Sequence, residues 1–226
     1  MIALGSGDMA KAYVGSTEVS KMYLGSDLVW ENTQEVLPYD ASIEYIQTDG
    51  TAYINTGIAP ADITPIMEVR MYLPTTSTNR YPIGSDGSGN TRFSVGRLTS
   101  NRIEFRIGGY KNVGSKTANW YVIKLDGSTG EAYLNSTLQW TSTTSPLVLS
   151  TYPIYIFNRT LSTGEAGAIL SGVRVSYYKL WDGDELLQDM IPVRVGQVGY
   201  LYDRVSGNFF GNVAGSGAFV LGNDIT

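Results

Sequence analysis

Histidine and cysteine are both missing from the 226 residues of this chain. Without cysteine there can be no disulfide, no thiolate nucleophile and no thiolate metal site. Without histidine the Ser-His-Asp and Cys-His arrangements cannot be assembled, and the commonest metal ligand is gone. Charge is scarce as well: 16% of residues are charged, the net charge is -5, and Lys and Arg occur singly along the chain. No basic stripe is available to neutralise a phosphate backbone, so nucleic acid is not an expected partner. No apolar run is long enough to span a bilayer, and Met1 to Lys11 lacks a basic segment followed by an apolar one. Neither membrane insertion nor export on a signal peptide is therefore expected. Helical periodicity is missing too, since no window of a dozen residues keeps apolar positions at i, i+3, i+4 and i+7.

What remains is rich in glycine and aromatics: 42% of residues are hydrophobic, with 26 Gly and 16 Tyr, a composition suited to strands and turns. The chain is long enough to bury a sizeable core in one domain. Segments with strand character recur from Ile43 onward, at Ile43–Thr48, Ala52–Thr56, Ile66–Leu73, Thr91–Arg97, Arg102–Gly108, Asn119–Asp126, Glu131–Asn135, Pro153–Asn158, Val173–Trp181 and Leu186–Val195. Many short strands with Gly-rich connections predict an all-β fold, an antiparallel sandwich of two sheets. In Asn119–Leu125 the alternation is clean. Asn119, Tyr121, Ile123 and Leu125 share one face while Trp120, Val122 and Lys124 share the other, so one side can line a core and the other can face a partner. Asp126-Gly127 and Asp182-Gly183 are expected as tight turns between antiparallel strands. Trp181 and Phe157 are expected in the core.

Ahead of this body lies a ten-residue repeat, IALGSGDMAK, AYVGSTEVSK and MYLGSDLVWE, at 2–11, 12–21 and 22–31. Each copy places apolar residues on either side of a Gly-Ser pair, which predicts three small hairpins forming a β-meander. A ribbon of that size is marginal alone in water, so it is expected to dock on the main body or on another chain. Residues 32–40 lose the pattern and include Pro38, marking a connector. The expected organisation is an N-terminal β-repeat module over 1–34 and a main domain over 38–226.

The run from Glu44 through Asp49-Gly50 to Gly57 resembles the opening of laminin-G-like, concanavalin A-like jelly rolls of phage and prophage structural proteins. Pro153–Asn158, Tyr178–Gly183, Ile191–Arg194 and Gly199–Phe210 follow in the order that family shows, and the likeness spans about 43–222. The repeat resembles short modules that precede such domains in tail-associated proteins of phages from gut bacteria. The resemblance implies a jelly-roll sandwich, a carbohydrate-type or protein-type binding surface, and a place in a virion or on a bacterial surface. It names no ligand, because one sandwich hosts lectins, adhesion modules and glycanases alike.

Catalytic chemistry is hard to find. Ser176 and Lys179 have a Ser-x-x-Lys spacing, but on a regular strand positions three apart point to opposite faces. Gly84–Gly89 echoes a phosphate-cradling loop only in its glycines, and a hairpin loop is expected there. A glycanase on this fold needs two carboxylates on one cleft. Glu104 stands alone in its strand, Glu68 is followed at i+2 by Arg70, and Asp182, Asp184 and Glu185 cluster at an expected turn. The chain is therefore read as non-enzymatic and without a cofactor. A calcium ion is the one metal to consider, at Asp86 and Asn90 in the glycine-rich segment or at Asp182 and Asp184.

Sugars are held by aromatic faces and planar polar groups, and the candidates are Trp120, Trp140, Tyr110, Arg92, Arg106 and Asn158. The expected function is a phage or prophage tail-associated structural or receptor-binding protein that recognises a cell-surface glycan. The alternatives are a purely structural virion component without a glycan site, which predicts a large apolar patch, and a glycanase on the same fold. Expected partners are a cell-surface glycan or other virion proteins. A homo-oligomer, a trimer of the kind common among tail receptor binders, fits the exposed repeat. Synthesis in the host cytoplasm without a signal peptide, then incorporation in the virion, is the expected route.

Overall fold

The computed structural model describes residues 37–225 and, ahead of them, the strands β1 (Ala12–Val14), β2 (Thr17–Val19), β3 (Lys21–Leu24) and β4 (Asp27–Glu31). The backbone divides into two units, Met1–Pro38 and Tyr39–Thr226. In the first, β1 pairs antiparallel with β2, and β3 with β4. Each pair brackets the Gly-Ser step of one repeat copy, and the pairs form two separate two-stranded sheets. The first copy, at 2–11, lies outside the described residues, as do residues 32–36 of the connector expected over 32–40.

The second unit opens with β5 (Ala41–Ile43), β6 (Ile46–Thr48), β7 (Ile54–Asn55), β8 (Pro65–Leu73), β9 (Arg80–Asp86), β10 (Arg92–Arg97), β11 (Arg102–Ile107), β12 (Gly109–Ser115) and β13 (Asn119–Asp126). It continues with β14 (Glu131–Leu134), β15 (Thr137–Thr141), β16 (Tyr155–Ile156), β17 (Arg174–Asp182), β18 (Glu185–Val195), β19 (Val198–Asp203), β20 (Phe209–Phe210), β21 (Phe219–Leu221) and β22 (Asp224–Ile225). Six strands make the smaller sheet, in the order β12-β11-β10-β9-β16-β7. The larger sheet runs β15-β14-β13-β8-β17-β18-β19-β20, with β5 and β22 joined through β18 and β6 and β21 through β17. All named ladders of this unit are antiparallel. No α-helix occurs among the described residues. Two antiparallel sheets over one core form the sandwich that the alternating segments predict, with the jelly-roll architecture that the resemblance implies.

The centre of the large sheet shows why these residues become strands. In β8, Met67, Val69, Met71 and Leu73 are fully buried, and Glu68, Arg70 and Tyr72 alternate with them toward the other face. From β13 come Ile123 and Leu125, and from β17 Val175, Tyr178 and Leu180. They belong to one core with Ile83, Phe93, Val95, Ile103, Phe105 and Ile107 of the small sheet. Burying each such side chain contributes about 1.5–3 kcal/mol, so the period-two pattern fixes which face turns inward.

Several expected elements differ in detail. The segment Ile43–Thr48 is broken into β5 and β6, because Glu44 and Tyr45 leave the ladder to bond Asn223 and Gly222 through their backbones. Gly84–Asp86, expected in a loop, completes β9, and the turn begins at Gly87, whose N–H donates to Thr91 O at 2.6 Å. At Asp126-Gly127 the connection is a four-residue loop in which Asp126 accepts from the backbone N–H groups of Ser128 and Thr129. The left-handed residue there is Gly130 (φ +74) rather than Gly127. Asp182-Gly183 does form a tight turn, with Asp182 opposite Glu185 and Gly183 at φ +54. The edge strand β12 has no fully buried residue, so no alternation announces it in the sequence.

Two polar features lock the loops. Arg97 is fully buried and donates to the carbonyls of Pro74, Asn101, Lys116 and Thr117 at 3.0, 2.7, 2.8 and 3.3 Å, tying three loops to the end of β10. Burial lowers its pKa, opposed by nearby Tyr121. Asp49 accepts from the hydroxyl and N–H of Thr51 and the N–H of Ala52 with one oxygen, and from the N–H of Ala218 with the other. Desolvation raises its pKa, but these donors outweigh it and hold the carboxyl at about 2.

A depressed acid stabilises the fold above its unfolded value and loses that contribution as pH falls through its folded value. Asp49→Asn is accordingly expected to flatten the loss of thermal stability between pH 3.8 and about 2. Unfolding midpoints with the same slope in both proteins would contradict this. Gly84 sits at φ +131 in β9, and a Cβ added there would lie 2.3 Å from Ser94 Cα. Gly84→Ala should cost about 2–4 kcal/mol, because strain and backbone clash add; denaturant unfolding with an unchanged midpoint would refute it.

Candidate functional site

The residues of the large sheet that turn away from the core assemble in rows across β13, β8 and β17. Trp120, Tyr72 and Arg174 are cross-strand neighbours in the first row, Val122, Arg70 and Tyr177 in the second, and Lys124, Glu68 and Lys179 in the third. A β-bulge between Val175 and Tyr177 inserts Ser176 into this face. The break between β5 and β6 supplies Tyr45. Of these, Tyr45, Arg70, Trp120, Arg174, Ser176 and Tyr177 line a groove of about 770 Å³ together with Ser42, Ile43, Glu44, Ile191, Pro192 and Ile225.

The groove is organised around aromatic rings. Tyr45 and Tyr72 lie 6.1 and 5.9 Å from Trp120, tilted and edge-on respectively. The Arg70 guanidinium lies 4.6 Å from the centre of the Trp120 ring, and that of Arg174 is 4.6 Å from Tyr45 and 5.1 Å from Tyr72. Such cation–π stacking orients a guanidinium without neutralising it. Ser176 Oγ accepts from Arg70 at 3.1 Å, and Gln47 Oε1 accepts from Arg174 Nε at 2.7 Å. At the groove's other end the Tyr177 hydroxyl donates to Glu68 at 2.9 Å. Burial, and then this hydrogen bond to a negative group, push its pKa up to about 12. Aromatic faces offer partial negative charge to polarised C–H groups, and the guanidiniums offer donors to hydroxyl or acidic oxygens. One carboxylate, Glu44, lines the groove, so its lining holds no acid and base pair.

The bulge corrects the geometric argument against Ser176 and Lys179, which share the outer face. They are nonetheless engaged separately, Ser176 with Arg70 and Lys179 with Asp189 at 3.9 Å.

A second polar cluster covers the outer face of the small sheet. Tyr81 lies over Gly96, where a Cβ would come within 2.7 Å of its ring. The guanidiniums of Arg106 and Arg159 stack on that ring at 4.0 and 3.7 Å. Arg106 bonds Asp86 at 2.7 Å and also pairs with Glu104, and Arg159 pairs with Asp86. Ser94 Oγ donates to Asp86 at 2.6 Å. Burial lowers the pKa of Arg159 most, with Asp86 opposing; for Arg106 burial also lowers it, but Asp86 and Glu104 prevail and raise it.

The sequence candidates fall on different surfaces. Trp120 lies in the large-sheet groove. Arg92 and Arg106 border a cleft of about 250 Å³ beside Gly87–Gly89 on the small sheet. Tyr110 is 60% exposed on the edge strand β12. Trp140 is half-buried and packs against the core. Asn158 is buried and spent on the backbone, donating to Gly167 O at 2.9 Å and accepting from Arg159 N–H at 2.8 Å. Asp86, considered for calcium, serves two arginines and a serine, while Asn90 is exposed in the turn that follows β9. Asp182 accepts from Thr64 N–H at 2.8 Å. No group of three His, Cys, Asp or Glu side chains able to hold a metal occurs among the described residues. Phe157 is in the core, but Trp181 is only half-buried and lines an outer-face hollow with Glu68 and Lys124. Tyr45, Arg70, Tyr72, Arg174 and Tyr177 escaped sequence reasoning. Alternation marks Arg70 and Tyr72 as sharing a face, but only strand register brings them to Trp120.

No protein-family model matches the chain, and no curated protein matches it in sequence. Its fold has solved counterparts. A Bacteroides ovatus protein proposed to bind carbohydrate superposes with a TM-score of 0.52 at 12% identity, over 82% of this chain and 61% of that one. The chain thus spans about three fifths of that protein's length. A heptameric SAP-like pentraxin from Limulus polyphemus gives a TM-score of 0.49 at 13% identity, over 82% of this chain and 97% of that one. The chain has a two-sheet antiparallel jelly-roll fold of the concanavalin A-like kind.

The Tyr177 phenol supplies a test of the outer-face register. Its raised pKa means its stabilising contribution is complete below pH 10.0 and is lost as pH rises through about 12. Glu68→Gln removes the negative acceptor, so one tyrosine should ionise at lower pH, seen as earlier tyrosinate absorbance. Superimposable titrations would place Glu68 away from Tyr177.

Proposed function

We propose that this chain is a phage or prophage tail-associated receptor-binding protein whose jelly roll recognises a cell-surface glycan in the groove beside Trp120. The observation that carries the proposal is the gathering of Tyr45, Tyr72 and Trp120 with Arg70 and Arg174 on one outer sheet face, around about 770 Å³ of groove. Three half-buried aromatic rings clustered on an outward sheet face form the kind of patch that marks an interaction site, and ring faces beside planar donors suit a sugar. The likeness in fold to a Bacteroides ovatus protein proposed to bind carbohydrate supports binding. The tail association rests on the ordered segments of the sequence resemblance. In this reading residues 1–34 are an assembly module, residues 38–226 are the binding domain, and the protein works in the virion as a homo-oligomer. The groove's single carboxylate argues for binding without cleavage.

Trp120→Ala tests the reading on a glycan array, beside native mass measurement of the assembly. Retention of specific glycans by the parent protein and its loss in the variant are expected, with unfolding stability lowered by no more than about 1–2 kcal/mol. A loss above about 4 kcal/mol would make the ring a structural element. A stable homo-oligomer that retains no glycan would make the protein a structural component of the virion.

A further inference from the structure

We infer that the ligand of the Trp120 groove carries an anionic group, a carboxylate or a phosphate or sulfate ester, held between Arg70 and Arg174. This rests on the proposed glycan-binding role of the groove and specifies the class of sugar. The chain as a whole carries a net charge of -5, yet two guanidiniums and a single carboxylate line this groove. That carboxylate, Glu44, is turned to the C-terminal segment, where it accepts from the backbone and side-chain N–H groups of Asn223 at 3.3 and 3.0 Å.

Four arginines of the described residues are answered by carboxylates, and the buried Arg97 is spent on backbone carbonyls. Arg106 and Arg159 pair with Asp86, Arg194 with Asp224, and Arg204 with Asp189. Arg70 and Arg174 have only neutral acceptors, Ser176 and Gln47, and neither has a carboxylate within ion-pair distance among the described residues. A guanidinium has five donors, so most of those on both residues stay unspent. The rings of Trp120, Tyr45 and Tyr72 hold the two forks in place at 4.6 to 5.1 Å. A fork so oriented fits two oxygens of one acidic group at once, which a neutral hydroxyl does not offer.

Matched polysaccharide pairs test this on the intact protein: polygalacturonate against its methyl ester, phosphomannan against dephosphorylated mannan, and carrageenan against agarose, within a broad array of acidic and neutral glycans. The retained glycans should be acidic ones, and the pair that separates identifies whether carboxylate, phosphate or sulfate is read. Retention should fall with added salt and weaken about tenfold or more in Arg70→Gln/Arg174→Gln. Should that variant fail to fold, Arg70→Lys/Arg174→Lys keeps the charge while removing the fork, and it should show weakened but still salt-sensitive retention of the same glycans. Retention of neutral glycans alone, or retention indifferent to salt and to both substitutions, overturns the inference and leaves glycan binding standing. Retention of no glycan at all overturns glycan binding and the inference with it.

Discussion

A strand has two faces and side chains must alternate between them, and β8 spends each face on a different task. Met67, Val69, Met71 and Leu73 go to the core, while Glu68, Arg70 and Tyr72 go to the outer face, where Arg70 lines the groove. Because β13 and β17 pair with β8 on either side, its register decides which residues stand beside Arg70 and Tyr72. A slip of one residue would bury Arg70 and expose Met71, losing core and groove together. Binding surface and stability are therefore set by the same ladder.

The two outer faces use similar residues to opposite ends. On the small sheet, Arg106 and Arg159 clamp Tyr81 and are answered by Asp86 and Glu104, so the cluster is satisfied within itself. On the large sheet, Arg70 and Arg174 also lie against rings, but their acceptors are neutral and the space above them is open. The first arrangement closes a surface. The second leaves donors and ring edges for a ligand to meet.

The fold was largely legible because its driving pattern is local. Alternation in Ile66–Leu73 and Asn119–Asp126 identifies the central strands and their inward faces. What escaped was set by partners distant in sequence. β12 buries nothing fully, β9 contains Gly84 and Pro82, and the break at Glu44–Tyr45 depends on bonds to residues near the C-terminus. The site was legible in one residue, Trp120, because its outward face shows in its own strand. Arg106 and Asn158 looked equally available, since a sequence does not show that Asp86 and Gly167 occupy them. The bulge at Ser176 is likewise invisible to a rule of strict alternation.

The chain contains no cysteine, so a single introduced thiol reports its own surroundings. The most direct measurement compares labelling of Arg70→Cys and Val69→Cys by a water-soluble thiol reagent under native conditions. The account predicts prompt labelling at position 70 and protection at position 69 until the protein unfolds. The reverse order, or equal labelling at both, would contradict the division of β8 into a core face and a groove face.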